Sequence, residues 1–408
     1  MVVLLDYDVI VVGGGPAGST VSRKVAERGY NVLLVEEHNQ IGSPVHCTGK
    51  ISITACVELS LKPPRVLASL KGAKAYSPSG KSLTVERKAT QAYVLDRVAF
   101  DSQLAKEALK AGATLQTNTR AVKVTVYKSG VRVTLCKGTV NEDKSCRVVV
   151  GADGFPSIVA RQTHLYRYGA SKWRYGVQSE VIEIQGMDPV FAEVYFGKSF
   201  APGFFAWLVP TGNTNARVGL GAKPSLSLTP MSCLDNLIKS HPVLAPRLKS
   251  SIVCGRSVHV MPTGGPFERT VNEGVLVVGD AGGQVKPTTG GGLYYGMLCA
   301  QIAGATLCKV LENSSKLVPT YWEMEEYEHA WRSRLCDEMA FGHKARALMD
   351  SLTDEEIDYL FGVLQEDESL QRLVETFADI DYQSKIALPL IPKILTHLVR
   401  KPKLLYKV

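Results

Sequence analysis

The stretch from Asp6 to Glu37 leaves this chain few folds to choose from. It runs DYDVIVV, then Gly13-Gly14-Gly15-Pro16-Ala17-Gly18, then STVSRKVAERG closing on Gly29, then YNVLLVEE. An apolar run, a glycine turn, a helical period and a second apolar run read as β–α–β. The six turn residues fit G-x-G-x-x-G, placed directly after a strand and opening a helix. Gly13 permits the turn, Gly15 lets the backbone approach a pyrophosphate, and Gly18 lets the helix pack on the strand. The N-terminus of the helix that follows offers free amides and a partial positive charge to phosphates, with Ala17 in the turn among the expected contacts. Glu36 ends the second strand, at the spacing where a carboxylate takes the ribose hydroxyls of an adenosine. The segment is a dinucleotide site.

A later stretch decides which dinucleotide. Val278-Gly279-Asp280-Ala281 ends another apolar strand, and after Pro287 the run Gly290-Gly291-Gly292-Leu293 opens a helix over about 290–312. A second strand–turn–helix so distant in sequence is what a long, extended cofactor requires. The Asp280 carboxylate suits a ribityl hydroxyl. The helix start at Gly291, Gly292 and Leu293 suits the negative charge that a reduced flavin carries near N1 and O2. Together the two motifs point to FAD.

The remaining elements divide the 408 residues. A helix is expected over 98–111, a hairpin around KSG at 128–130, and a returning strand in VVVGADG. From 165 to 265 the chain is mostly short strands (YGVQSEVIEI, AEVYFG, FFAWLVP, ARVGLGA, IVCGRSVHV) interrupted by one helix, TPMSCLDNLIKSH. Beyond 316 it is helical, with a capping box at Thr353–Glu356. The expected fold class is α/β, or α+β overall. A Rossmann-like FAD-binding domain is drawn from 1–60, 96–165 and 268–315, with an inserted antiparallel β-sheet substrate domain from 61–95 and 166–267. A helical C-terminal region spans 316–408.

Lys+Arg number 47 against 39 Asp+Glu, a net +8. No run of 18 uncharged apolar residues exists, and Asp6 and Asp8 interrupt the N-terminal apolar run too soon for a signal peptide. The tail after Asp381 carries Lys385, Lys393, Arg400, Lys401, Lys403 and Lys407 among apolar residues, with no acid. It suits an anionic membrane surface, or else a helix docked on the protein with a solvated basic face. The expected place is cytoplasmic, peripheral on the inner face of the cell membrane, with no nucleic acid partner. The nine cysteines show no CxxC and no metal-ligand spacing with histidine, so no metal is expected. Cys308 and Cys336 flank a helix–helix connection and would pair only in a hyperthermophile.

These motifs, with Ala152-Asp153-Gly154 between them, resemble the FAD-dependent oxidoreductases of the p-hydroxybenzoate hydroxylase type. More closely, over roughly residues 5 to 310, the chain resembles the geranylgeranyl reductases, especially the archaeal digeranylgeranylglycerophospholipid reductases. Three features carry the likeness: Ile41-Gly-Ser-Pro-Val-His46-Cys47; Phe205-Ala-Trp207-Leu-Val-Pro210 followed by Gly219-Leu-Gly221; and Lys286-Pro-Thr-Thr-Gly290-Gly-Gly-Leu-Tyr-Tyr. Departures are Phe205 for the family's Tyr, Val209 for its Phe, and Thr48 where relatives often have Gly; Arg161 lies eight residues past Asp153, one later than in many hydroxylases, as it does in the reductases.

The resemblance implies FAD contacts from Asp153, Arg97, Ala121, Cys47, Thr48 and Lys50, and a substrate wall of Tyr195, Phe205, Trp207, Pro210, Gly219 and Gly221, with Phe204 beside it. It implies a prenylated lipid substrate, with electrons from NAD(P)H or reduced ferredoxin. An isolated trisubstituted alkene is electron-rich, so hydride delivery must be coupled to protonation in a dry site. Cys47 is the expected catalytic residue, as proton donor, pocket wall or flavin contact; His46 and Tyr294 are further acid candidates. The rival readings are reduction of a quinone side chain or of geranylgeranyl diphosphate, aromatic monooxygenation, and electron transfer to quinone.

Overall fold

The computed structural model describes residues 4–166, 173–225 and 229–399, with Leu404 and Lys407. They form two compact units, each assembled from three stretches. The first unit takes Met1–Val45, Arg97–Lys172 and Pro262–Met339; the second takes His46–Asp96, Trp173–Met261 and Ala340–Val408. Residues 46–60, expected with the FAD-binding domain, fall in the second unit because strand Lys50–Ser52 pairs with Ala92–Leu95. Residues 316–339, expected in a separate helical region, fall in the first.

In the first unit, strand Tyr7–Val12 lies between Val32–Val35 and the end of Val140–Gly151, parallel to both. Thr114–Gln116 extends the sheet in parallel on one side and Val275–Val277 on the other. All but the edge strand Thr114–Gln116 are near-continuous Val, Ile and Leu runs because both of their faces are covered. The expected hairpin forms between Arg120–Tyr127 and Gly130–Lys137. Its third partner is the first half of Val140–Gly151, paired antiparallel. That half is polar and largely exposed while its second half is buried, so only the second half shows as a strand in the sequence. Helix Pro16–Ala26 starts three residues before the expected Ser19, with Pro16 at its first position, where a missing amide costs nothing. It packs on helix Leu293–Asn313, and at their contact a Cβ added to Gly304 would lie 2.6 Å from Lys24 Cβ. Helix Tyr321–Ser351 begins in this unit and buries Met324, Tyr327, Trp331 and Leu335, spaced three and four residues apart.

The second unit is built on a seven-stranded sheet. Its order is Ile252–Met261, Arg174–Ile182, Ala216–Ala222, Ala206–Pro210, Phe191–Tyr195, Gly72–Tyr76, Ser82–Glu86. All neighbours are antiparallel except Phe191–Tyr195 with Gly72–Tyr76, a departure from the purely antiparallel expectation. One face packs Val177, Leu208, Val218 and Leu220 against Leu234 and Leu237 of helix Pro230–Ser240. The other face packs Trp207, Val209 and Met261 against Leu70, Ala92 and Val94 of a small three-stranded sheet. The capping box is present: Glu356 N donates to Thr353 Oγ1 at 3.2 Å and Thr353 N to Glu356 Oε2 at 2.8 Å.

The tail forms helix Ser384–Leu398, and Leu398 and Leu404 are buried with Leu352, Ile357 and Phe361. Lys385 pairs locally with Asp379 at 2.7 Å, and Lys407 reaches Glu356 of helix Asp354–Glu366 at 2.6 Å, so the latter cation serves docking. Arg400, Lys401 and Lys403 lie outside the described residues. All nine cysteines are free, Cys308 and Cys336 included. Among the described residues no helix is long and apolar enough to cross a membrane.

Candidate active site

In the first unit, both glycine turns are shaped by what side chains would strike. Gly13 has φ +104°, and a Cβ there would lie 2.2 Å from Ala152 O; one on Gly18 would lie 1.9 Å from Gly13 O. Gly15, by contrast, faces open space, with nothing within 4 Å of a Cβ position. It caps helix Pro16–Ala26 without a side-chain bond to the first amides, so they stay available to an anion. Glu36 is drawn over this turn, its Oε2 accepting from Gly14 N at 2.8 Å and its Oε1 from His38 N at 2.9 Å.

The second turn comes to the same place. A Cβ on Gly279 would lie 3.3 Å from Ala17 Cβ, so the two strand–turn–helix motifs, more than two hundred residues apart, abut. Asp280 follows, and a Cβ on Gly292 would fall 2.5 Å from its Oδ1; the glycine keeps that carboxylate clear. Helix Leu293–Asn313 starts at Gly292 with no side-chain cap. Burial pushes the Asp280 carboxyl up to about 6, against the pull of Arg97. Arg97 is largely buried and gripped by Asp101 through two bonds, of 2.9 and 2.8 Å, so it is fixed in place and not a solvated helix-start side chain.

Residues with no local signature brace this turn. Gly279 N donates to Gln284 Oε1 at 2.8 Å, Gln284 Nε2 to Tyr327 OH at 2.8 Å, and that hydroxyl to Val277 O at 3.0 Å. The open Gly15, the acid over the first turn, the cleared Asp280 and two uncapped helix starts fit an adenosine joined through a pyrophosphate to a ribityl flavin.

Both Asp153 oxygens are engaged within its own turn, by Ser157 Oγ at 2.6 Å and by Ile158 N at 2.7 Å, so it organises the loop abutting Gly13. Arg161 is exposed. Ala121 is buried in the sheet core with Val131 and Leu135, and Tyr294 is buried in the first turn of its helix.

In the second unit, the loop bearing Cys47 is pinned at three points. Arg217 Nη1 donates to Thr48 O at 2.8 Å, Leu95 N donates to Gly49 O at 2.9 Å, and Gly49 N meets Cys47 Sγ at 3.4 Å. Gly49 has φ +74°, and a Cβ there would strike Leu95 O at 2.7 Å. Lys50 opens the strand that follows. Arg217 is itself aimed by Glu180, 2.6 Å away. The His46 ring lies 6.2 Å from that of His259, and burial with the His46 charge takes His259 down to about 4.

The signature Phe205–Pro210 with Gly219–Gly221 has a steric meaning. Trp207 Cε2 lies where a Gly219 Cβ would be 2.8 Å away, and Phe204 Cδ1 where a Gly221 Cβ would be 2.2 Å away. Two bulky rings therefore occupy the space that side chains at these two glycines would fill. Phe205 stacks on Phe204 at 4.5 Å, meets Trp207 edge-on at 6.1 Å, and stays only partly buried. Pro210 closes its strand opposite Ala216. Tyr195 does not join this wall. It points to the opposite face of the sheet, among Val177 and Leu208, with its hydroxyl donating to Glu193 and accepting from Arg247 at 3.1 Å.

Residues 6–220 match the family model for an FAD binding domain. A digeranylgeranylglycerophospholipid reductase of Methanocaldococcus jannaschii is 34% identical over 366 residues, 88% of this chain and 91% of that one. Its counterpart numbered 2 in Methanothermobacter thermautotrophicus is 33% identical over 88% of this chain and 92% of its own. Among solved structures, a geranylgeranyl bacteriochlorophyll reductase-like protein of Thermoplasma acidophilum superposes with TM-score 0.85 at 27% identity, over 97% of this chain and 98% of that one. With this identity running through both units, the chain belongs to the digeranylgeranylglycerophospholipid reductase family, on an FAD-binding domain.

Proposed function

We propose that this protein saturates C=C bonds in the geranylgeranyl chains of archaeal-type ether phospholipids. The observation that carries the reading is the aromatic cluster packed over Gly219 and Gly221, with Phe204 and Trp207 buried and Phe205 partly open beside them, an apolar lining suited to a branched hydrocarbon in a chain that also holds the FAD cradle. Bound FAD, once reduced, would supply two electrons in the form of one hydride equivalent. The chain's residues do the rest. The turn at Gly15 and the helix start at Gly292 hold the phosphates and the flavin's negative charge, Asp280 takes a ribityl hydroxyl, and the aromatic wall keeps water from the alkene. Cys47, held by Arg217 and Gly49, meets the reacting carbons as proton donor.

The single G-x-G-x-x-G turn serves FAD, so NAD(P)H or reduced ferredoxin visits transiently; anaerobic stopped-flow reduction with each identifies the donor. The enzyme works peripherally at a membrane, with exposed Leu388 and Ile391 of helix Ser384–Leu398 as the apolar contact.

The test is mass spectrometry of lipids from a host that makes geranylgeranyl ether lipids and expresses this chain with a reductant. Gains of two hydrogens per double bond are expected. Cys47→Ser should retain part of the rate and Cys47→Ala should lose tenfold or more; equal rates in both would make Cys47 a wall. Unchanged lipids beside a reducible flavin would move the reading to a quinone side chain or geranylgeranyl diphosphate. Substrate-stimulated oxygen uptake would overturn it in favour of a monooxygenase.

A further inference from the structure

One rung of the large sheet in the second unit carries polar groups that no side chain or backbone satisfies. In register across four strands lie Ser257, Gln178, Gly219 and Trp207. Ser257 Oγ, Gln178 Oε1 and Trp207 Nε1 are all buried and without a partner, as is Nδ1 of His259, two residues along the edge strand and opposite Gly176. Gln178 is 4% exposed and Trp207 7%. The two flank the same glycine: a Cβ on Gly219 would sit 2.7 Å from Gln178 Cβ and 2.8 Å from Trp207 Cε2, the atom bonded to the indole nitrogen. An acceptor and a donor thus face one small space without bonding each other. Native proteins satisfy such groups with ordered water when two to four polar partners converge.

The row has a direction. Ser257 lies on Ile252–Met261, the outermost strand of the sheet, which is mostly exposed. Trp207 lies three strands in, against the half-buried Phe205. We infer that the row Ser257–Gln178–Trp207, with His259 beside it, binds a file of ordered waters that admits protons from the edge strand to the aromatic wall. The inference rests on the proposed reading, in which an apolar surface must still receive one proton per double bond. One alkene carbon gains that proton and its neighbour gains a hydride, so C=C becomes CH–CH, the reduced flavin is oxidised by two electrons, and solvent refills the file.

A crystal structure of the FAD-loaded protein, at a resolution that shows waters, should place one within hydrogen-bond reach of both Gln178 Oε1 and Trp207 Nε1. A direct bond between them, or a dry contact, overturns the inference. In single turnovers of prereduced enzyme with geranylgeranyl lipid, Gln178→Leu and Ser257→Ala should each slow flavin reoxidation tenfold or more and enlarge the solvent deuterium isotope effect. Ser257→Thr, which keeps the hydroxyl, should restore both, with FAD content as the folding control. Unchanged rates and isotope effects in both variants sink the file. A wild-type protein that holds the waters but reduces no prenyl chain refutes the functional reading instead.

Discussion

Asp280 shows how one residue can be tuned for a ligand at the expense of the empty fold. Its carboxyl sits at about 6 because burial outweighs the help of Arg97. The folded apoprotein holds the proton longer than the unfolded chain does, so the group's contribution is complete below about 4 and is lost as pH rises through about 6. By linkage this is worth roughly 1–3 kcal/mol, the lower end allowing for partial exposure. Urea unfolding of the apoprotein should therefore show Asp280→Asn gaining stability over wild type at pH 7 but not at pH 4, with weaker FAD binding. A variant whose stability tracks wild type at both pH values would contradict this account. Residues of this kind were legible in the sequence: Gly13, Gly15, Gly18 and Glu36 are defined by spacing along one β–α–β unit, and Asp280 by its own strand–turn–helix. Gln284 and Tyr327, which brace Gly279, were not, since only folding brings positions 43 residues apart to 2.8 Å.

At the scale of strands, what matters is parity. Trp207 pairs with Val194, which puts Tyr195 on the other face of the sheet, so a tyrosine that the resemblance placed in the wall belongs to the core behind it. The same register gathers Ser257, Gln178, Gly219 and Trp207 on one rung, and no spacing within any single strand announces that. The glycines of the signature are there for the rings. Gly219→Ala should force Trp207 off its seat, since its Cβ would meet Val177 O at 2.5 Å as well as the indole. We expect lipid reduction to fall tenfold or more, with a shift in tryptophan fluorescence and unaltered FAD content; a silent substitution would mean that the ring's position is immaterial.

The whole molecule is two units of three stretches each, so the chain passes from one to the other five times, at 45/46, 96/97, 172/173, 261/262 and 339/340. A fragment ending at Lys172 has the first glycine turn but lacks strand Val275–Val277, Asp280 and helix Leu293–Asn313. Expressed alone it should neither hold FAD nor melt cooperatively, as flavin absorbance and calorimetry would reveal. Because most contacts join residues far apart in sequence, folding should be slow for the chain's size. The discontinuous FAD-binding fold was readable from two motifs that had to meet; the placement of 46–60 in the second unit was not, because it depends on a three-residue strand finding Ala92–Leu95. Those five passages also bear on descent. A single recombination breakpoint anywhere between the first and last of them divides both units at once, so no single crossover can exchange a ready-made cradle for another while keeping its wall whole.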